Sequence, residues 1–168
     1  MQANSLIEAF RTMVSKNSHQ ERSQCPIAFA LDIIGDHWSL LIIRDLLFQG
    51  KHEYKELLES DEGISSNILS DRLKKLQACQ LLDVIPHPDS NKRKLYYLTS
   101  AGKDLIDVII DLGRWTSAHL PQEVCVDPNI QRKLDLGRKD FRERMLNELA
   151  DWEKQYLGRV LPTKLSKT

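Results

Sequence analysis

Residues 54–99 read YKELLESDEGISSNILSDRLKKLQACQLLDVIPHPDSNKRKLYYLT, and the order of their parts decides the fold. Tyr54, Leu57 and Leu58 give one apolar edge to a short helix over 53–59. Asp61, Glu62 and Gly63 break it, and Ser65 or Ser66 can cap a new helix. Leu69, Leu73 and Leu76 then recur at helical spacing, predicting that second helix over 65–78. LLDVIP at 81–86 and KLYYL at 94–98 are β-prone runs separated by Pro88, Asp89, Ser90 and Asn91, which predicts a hairpin with a basic turn. The expected fold is mainly α with a small antiparallel β-wing: a winged helix-turn-helix with dimerising terminal helices.

That order implies a chemistry. A duplex major groove about 12 Å wide admits one helix. The side chains that meet base edges sit near the N-terminus of that helix. Here Ser65, Ser66, Asn67 and Ser70 stand there, with Asn67 and Ser70 the expected base readers. Lys74 and Lys75 lie further along the outward face, and the basic wing 86–94 brings Lys92, Arg93 and Lys94. These cations suit phosphates, giving affinity and salt dependence but little sequence choice. Arg72 projects towards the edge of the apolar stripe, where an internal ion pair and a phosphate contact are both open. Asp71 points outward yet repels phosphate.

The rest of the 168 residues sets limits on this reading. The net charge is zero, and residues 25–120 hold 11 Lys/Arg against 14 Asp/Glu. Within that acidic body, residues 71–94 hold six cations against three acids, so positive charge is focused on the proposed reading helix and wing. Hydrophobic content of 41% and a mean hydropathy of −0.41 suit a globular core. The densest apolar stretch, Leu40 to Phe48, contains Arg44 and Asp45, and the N-terminus lacks a charged segment followed by an apolar one. Neither a membrane span nor a secretion signal is expected, and the cytoplasm is the expected location. Cys25, Cys79 and Cys125 are widely spaced and odd in number, and the five histidines show no ligand spacing. No metal, cofactor or disulfide framework is expected.

The chain divides into three regions. Residues 1–24 read as an N-terminal helix (4–14, with Ile7, Phe10 and Val14 inward) and a polar linker. Residues 25–120 form the winged helix-turn-helix. They begin with a helix opened by Cys25-Pro26, striped by Ile27, Leu31 and Ile34 and ended by Gly35, and continue into a densely apolar helix over 38–48. After the wing, Thr99 or Ser100 caps a helix over 101–119 with Leu105, Val108, Ile109, Leu112 and Trp115 on one face and Ile106, Ile110 and Gly113 widening it. A helix apolar over most of its circumference is buried on more than one side, and the expected second surface is another subunit. Residues 121–168 form a C-terminal helical extension, with a helix over 138–157 striped by Phe141, Met145, Leu149, Trp152 and Tyr156, and a disordered tail.

The chain resembles the HxlR-type winged helix-turn-helix regulators of bacteria and archaea, relatives of the MarR class. The marks are Cys25-Pro26, Gly35, Trp38, Leu46-Leu47, Gly50, Tyr54, Glu56-Leu57, Gly63-Ile64-Ser65, Leu81-Leu82, Tyr96, Leu98-Thr99, Gly102 and Trp115, in register. The resemblance covers about Cys25 to Leu120. It implies a homodimer held by terminal helices, each subunit reading half of an inverted repeat in double-stranded DNA, and control of nearby genes. It also makes Cys25 a candidate redox sensor, because several members carry a responsive cysteine there. A thiol at a helix N-terminus gains thiolate character, although free cysteine is also often simply buried. An oxidant or a small molecule is the implied effector; Trp38, Trp115 and Trp152 are candidates for lining a pocket or for packing. Glu53 stands where the family usually has a basic residue, Leu95 where it usually has a carboxylate, and the wing lacks the usual proline pair.

An enzyme is not expected: there is no nucleophile, base and acid set and no phosphate-cradling glycine loop. The competing reading is a winged-helix module that binds protein instead of DNA through Glu53, Glu59, Asp61 and Glu62.

Overall fold

The computed structural model describes residues 25–122, residue 128 and residues 137–160. The helix expected over 4–14, the linker before Cys25, Cys125 and the tail beyond Val160 lie outside the described residues. Helix α1 (Pro26–Ile34) starts with Pro26 in the first turn and ends as Gly35 N–H donates to Leu31 O. Helix α2 (Ser39–Phe48) begins one residue later than expected. Its cap is Asp36, whose Oδ1 accepts from the amides of Trp38 (3.1 Å) and Ser39 (3.0 Å), while Oδ2 accepts from Ser39 Oγ (2.6 Å). Helix α3 (Tyr54–Leu58) comes next; Glu56 Oε2 reaches back to the amides of His52 and Glu53, both at 2.8 Å. The linking turn passes through Gly63 at φ +70, a conformation that glycine adopts without strain. Ser65 caps helix α4 (Ser66–Ala78) by accepting from Ile68 N–H.

Strands β1 (Leu82–His87) and β2 (Ser90–Leu98) form the antiparallel wing. Leu82 pairs with Leu98 and Pro86 with Lys94, and the register then shifts so that His87 pairs with Ser90. The tip is therefore Pro88-Asp89 alone, and Lys92, Arg93 and Lys94 lie on β2, not in a turn. Thr99 next caps α5 (Ser100–Asp104). The single helix expected over 101–119 is interrupted at Leu105, and α6 (Ile106–His119) continues from there. Helix α7 (Arg138–Val160) closes the described chain.

One apolar core joins these elements. Ile42, Ile43, Leu46 and Leu47 of α2 lie at its centre, with Leu57, with Leu69, Leu73 and Leu76 of α4, and with Leu82 and Leu98 of the wing. Each leucine buried this fully contributes about 2 kcal/mol. Ile106 and Ile110 of α6 enter the same core, as do Phe141, Met145 and Leu149 of α7. The C-terminal extension is thus part of the hydrophobic core; Phe141 meets Phe48 edge-on, with ring centres 5.3 Å apart. Two expected stripes are corrected. In α1 only Ile34 is buried, while Ile27 (69% exposed) and Leu31 (60%) face outward. Of the face expected on 101–119, the half-buried Leu105, at the break, and Ile109 of α6 pack on the subunit's own core, whereas Val108, Leu112 and Trp115 are exposed.

Candidate nucleic-acid interface

Helix α4 turns its leucines inward and leaves Ser65, Ser66, Asn67, Ile68, Asp71 and Lys74 exposed. Its N-terminus is held from α3. The Tyr54 hydroxyl donates to Ser66 O (2.8 Å) and lies 2.9 Å from Ser70 Oγ. Ser70 is therefore half-buried and already partnered, and Asn67 is the more open of the two expected base readers. The turn before α4 is tied to α2 through the buried Asp45, which accepts from Ser60 Oγ and from Arg44 Nη2, each at 2.6 Å; Arg44 Nη1 donates onward to Glu62 (2.8 Å).

The cations divide into two groups. Arg72 and Lys75 turn to Asp36: Lys75 Nζ donates to Oδ2 at 3.0 Å, and Arg72 Nε lies 3.1 Å from Oδ1. Arg72 Nη1 also donates to Asp71 (3.0 Å). Arg93 is engaged as well, with Nη1 at 2.9 and 3.1 Å from the two Glu53 oxygens, and Glu53 Oε1 also lies 3.6 Å from His87 Nε2. For Arg72, where an ion pair and a phosphate contact were both open, the ion pair is the one formed; Lys75 and Arg93, expected at phosphates, likewise have carboxylate partners some 40 residues away in sequence. Lys74, Lys92 and Lys94 are exposed and have no ion-pair partner among the described residues. Lys74 and Lys94 both line a groove of about 300 Å³ between α4 and the wing, together with Tyr54, Ser70, Gln77 and Tyr96.

Asp36 is the electrostatic anchor of α4. Burial by itself would raise its pKa, but hydrogen bonds from Ser39 Oγ, Lys75 and the Ser39 and Trp38 amides outweigh that and bring it down to about 2 from the ordinary 3.8. A carboxyl lowered by folding stabilises the folded state above its unfolded pKa, and that stability is lost as pH falls through the folded value. We expect acid titration of wild-type stability to drop between about pH 4 and pH 2, and Asp36→Asn to flatten that limb; an unchanged limb in urea melts across this range counts against the assignment.

Sequence reasoning missed the wing's second support. His52 is buried, its carbonyl accepts from Tyr96 N–H (2.8 Å), and its Nδ1 lies 2.9 Å from Tyr96 O. A carbonyl only accepts, so Nδ1 carries the proton. Burial pushes the His52 pKa down, against the raising effects of the Tyr96 hydrogen bond and of Glu56. A bridge between Glu53 and Leu95 extends this pairing. The one available signal was Glu53 itself, the acid at a position where the resemblance implies a base. Among the described residues the three tryptophans have different ring partners: Trp38 meets His37, Trp115 meets His119, and Trp152 stacks with His52 and Tyr156.

The sequence pattern of the HxlR-like helix-turn-helix family matches residues 33–124, more than half of the chain. The chain belongs to this family. An HTH-type transcriptional regulator of Mycobacterium tuberculosis, Rv3095, itself uncharacterized, is 35% identical over 109 residues, covering 65% of this chain and 67% of the relative. The crystal structure of PA1607, a candidate transcription factor, superposes with a TM-score of 0.57 at 34% identity over 66% of this chain and 76% of its own. The reduced form of the Bacillus subtilis regulator YodB superposes at 0.50 with 27% identity, covering 61% of this chain and all of that one. This HxlR-like chain is an HTH-type transcriptional regulator with a winged-helix fold, a class that acts by binding DNA, and its relatives are regulators, not enzymes. Among the described residues no single helix is long and apolar enough to cross a membrane.

Proposed function

We propose that the protein is a dimeric, cytoplasmic regulator that reads an inverted repeat, with α4 in the major groove and β2 along the flanking phosphates. The observation that carries this is the placement of Lys74, Lys92 and Lys94. They are exposed, without an ion-pair partner among the described residues, and all on α4 or the wing. Asn67, with Ser66 and Ser70 beside it, meets base edges, and Ser65 keeps the α4 N-terminus formed. Arg72, Lys75 and Arg93 support this surface through Asp36 and Glu53. Binding to duplex from the adjacent intergenic region, titrated with salt, tests it. Six lysines in a dimer give a log–log slope of about −5, and no salt-dependent binding to any duplex sinks the reading.

The protein-binding alternative loses support from the same geometry. Glu53 is paired with Arg93, Glu62 with Arg44 at 2.8 Å and Glu59 with Lys55 at 3.7 Å. Only Asp61 of the proposed acidic face lacks an ion pair among the described residues.

The dimer reading rests on α6, whose Val108 (42% exposed), Leu112 (49%) and Trp115 (59%) form an apolar row on one subunit, with Leu105 and Ile109 behind it. A row of this kind on a monomer marks an interaction surface. The oxidant response is assigned to Cys25, which is half-exposed at the N-cap of α1, whereas burial pushes the Cys79 thiol up and away from reactivity. Mild oxidation is expected to lower duplex affinity severalfold and Cys25→Ser to abolish that change; an equal response from the serine variant removes Cys25 from the role.

A further inference from the structure

Helix α7 lies wholly beyond residues 33–124, so the family pattern assigns it nothing. Its apolar stripe runs Phe141, Met145, Leu149 and then Trp152. The first three are buried in the core. Ion pairs fasten the helix along its length: Arg138 to Asp111 at 2.9 Å, Arg142 to Asp107 at 3.1 Å, and Lys103 to Glu153 at 2.7 Å. The stripe ends on the root of the wing. Trp152 lies flat on the His52 ring, with centres 3.5 Å apart and planes 13° apart, and Tyr156 stacks 5.0 Å beyond it.

We infer that Trp152 is a positioning residue for the wing, holding strand β2 in place through His52. The inference rests on the DNA-binding reading and adds to it the element that sets where the wing lysines stand. His52 grips Tyr96 twice, through its carbonyl and its ring. On β2, Tyr96 is two residues from Lys94 and so shares its face; both line the groove together with Lys74. The other edge of β2 is paired with β1. With Trp152 in place, His52 is 3% exposed and its bond to Tyr96 O is shielded from water. Without that cover, water competes for both groups and one of the two edges holding β2 loosens. Lys92 and Lys94 then sample more positions, and fewer reach phosphates at once.

The test uses the full-length protein with Trp152→Ala, Trp152→Phe and Tyr156→Ala, at a temperature where circular dichroism shows each folded. For Trp152→Ala we expect at least tenfold weaker duplex binding and a log–log salt slope shallower by about one to two. Amide exchange at Tyr96 should speed up at least tenfold while Leu69 in α4 keeps its protection. Trp152→Phe, which retains a flat cover, should restore both, and Tyr156→Ala, which leaves the indole on the His52 ring, should change neither. Trp152→Leu replaces Trp152→Ala if the alanine chain does not fold. An unchanged salt slope with unchanged Tyr96 exchange overturns the inference. Wild-type protein that binds no duplex overturns the DNA-binding reading instead, and faster Tyr96 exchange in Trp152→Ala would then still support α7 as the brace of β2.

Discussion

Replacing Lys74, Lys92 and Lys94 together by alanine is expected to weaken duplex binding about a hundredfold per half-site at 0.15 M salt. Each phosphate neutralised contributes about 0.9 to the slope of log affinity against log salt, so three lysines contribute about 2.7. Carried from 1 M down to 0.15 M salt, that slope corresponds to about two orders of magnitude. The variant should therefore bind nearly as well as wild type near 1 M salt and diverge from it as salt falls. Fluorescence anisotropy across a salt series separates this from a folding defect, because all three side chains are exposed and carry no ion pair among the described residues. Arg72→Ala and Lys75→Ala make the contrast. Both side chains turn to Asp36, so their loss should lower unfolding stability more than it flattens the salt slope. Equal slopes for the triple variant and wild type would remove the lysines from the interface.

A double change on α6, Leu112→Asp with Trp115→Asp, is expected to convert a dimer of roughly twice 19.4 kDa into a monomer of that mass. Burying two carboxylates against an apolar partner costs several kcal/mol, far more than the apolar contact it replaces. Because Leu112 is 49% and Trp115 59% exposed on one subunit, the substitutions should leave the folded subunit intact. Affinity for a two-half-site operator should fall by the factor that linkage of the two sites supplies, about 10² to 10⁴. Affinity for a single half-site should hardly move. Light scattering that returns a monomer for wild type, or a dimer for the double variant, contradicts the assignment of this face.

The elements that bury something on one side were legible from residue spacing. Leu69, Leu73 and Leu76 mark α4, and Phe141, Met145 and Leu149 mark α7, because burial imposes a period on sequence. The outer half of β2 was not legible for the complementary reason. Ser90 to Arg93 bury neither face, so no alternation distinguishes them from a turn. The break at Leu105 has no proline or glycine to announce it; its φ of −70 and ψ of −6 are only slightly off helical values. Ile27 and Leu31 carry a helical stripe that the described chain does not cover, and a stripe alone does not tell core from surface. Within the candidate site, Ser65 and Asn67 could be read from their place at a helix start. The partners of Arg72, Lys75 and Arg93 could not, since Asp36 and Glu53 meet them only through the tertiary fold.

At the junction of wing and α5 the chain turns so tightly that a Cβ on Gly102 would stand 1.9 Å from Leu81 O, and Thr99 Oγ1 locks the same corner by donating to Gln80 O at 2.6 Å. That tight corner fixes how the wing passes into α5, and α6 follows after Leu105. In the proposed dimer built on α6, the distance between the two reading helices would then be a gauge set by the protein, with the ~34 Å of one DNA turn as its expected value. Adding one base pair between half-sites would shift the second by about 3.4 Å and a tenth of a turn, and the duplex, not the protein, would have to bend or twist to absorb it. Spacing, as much as the letters within each half-site, would decide which sequences this regulator occupies.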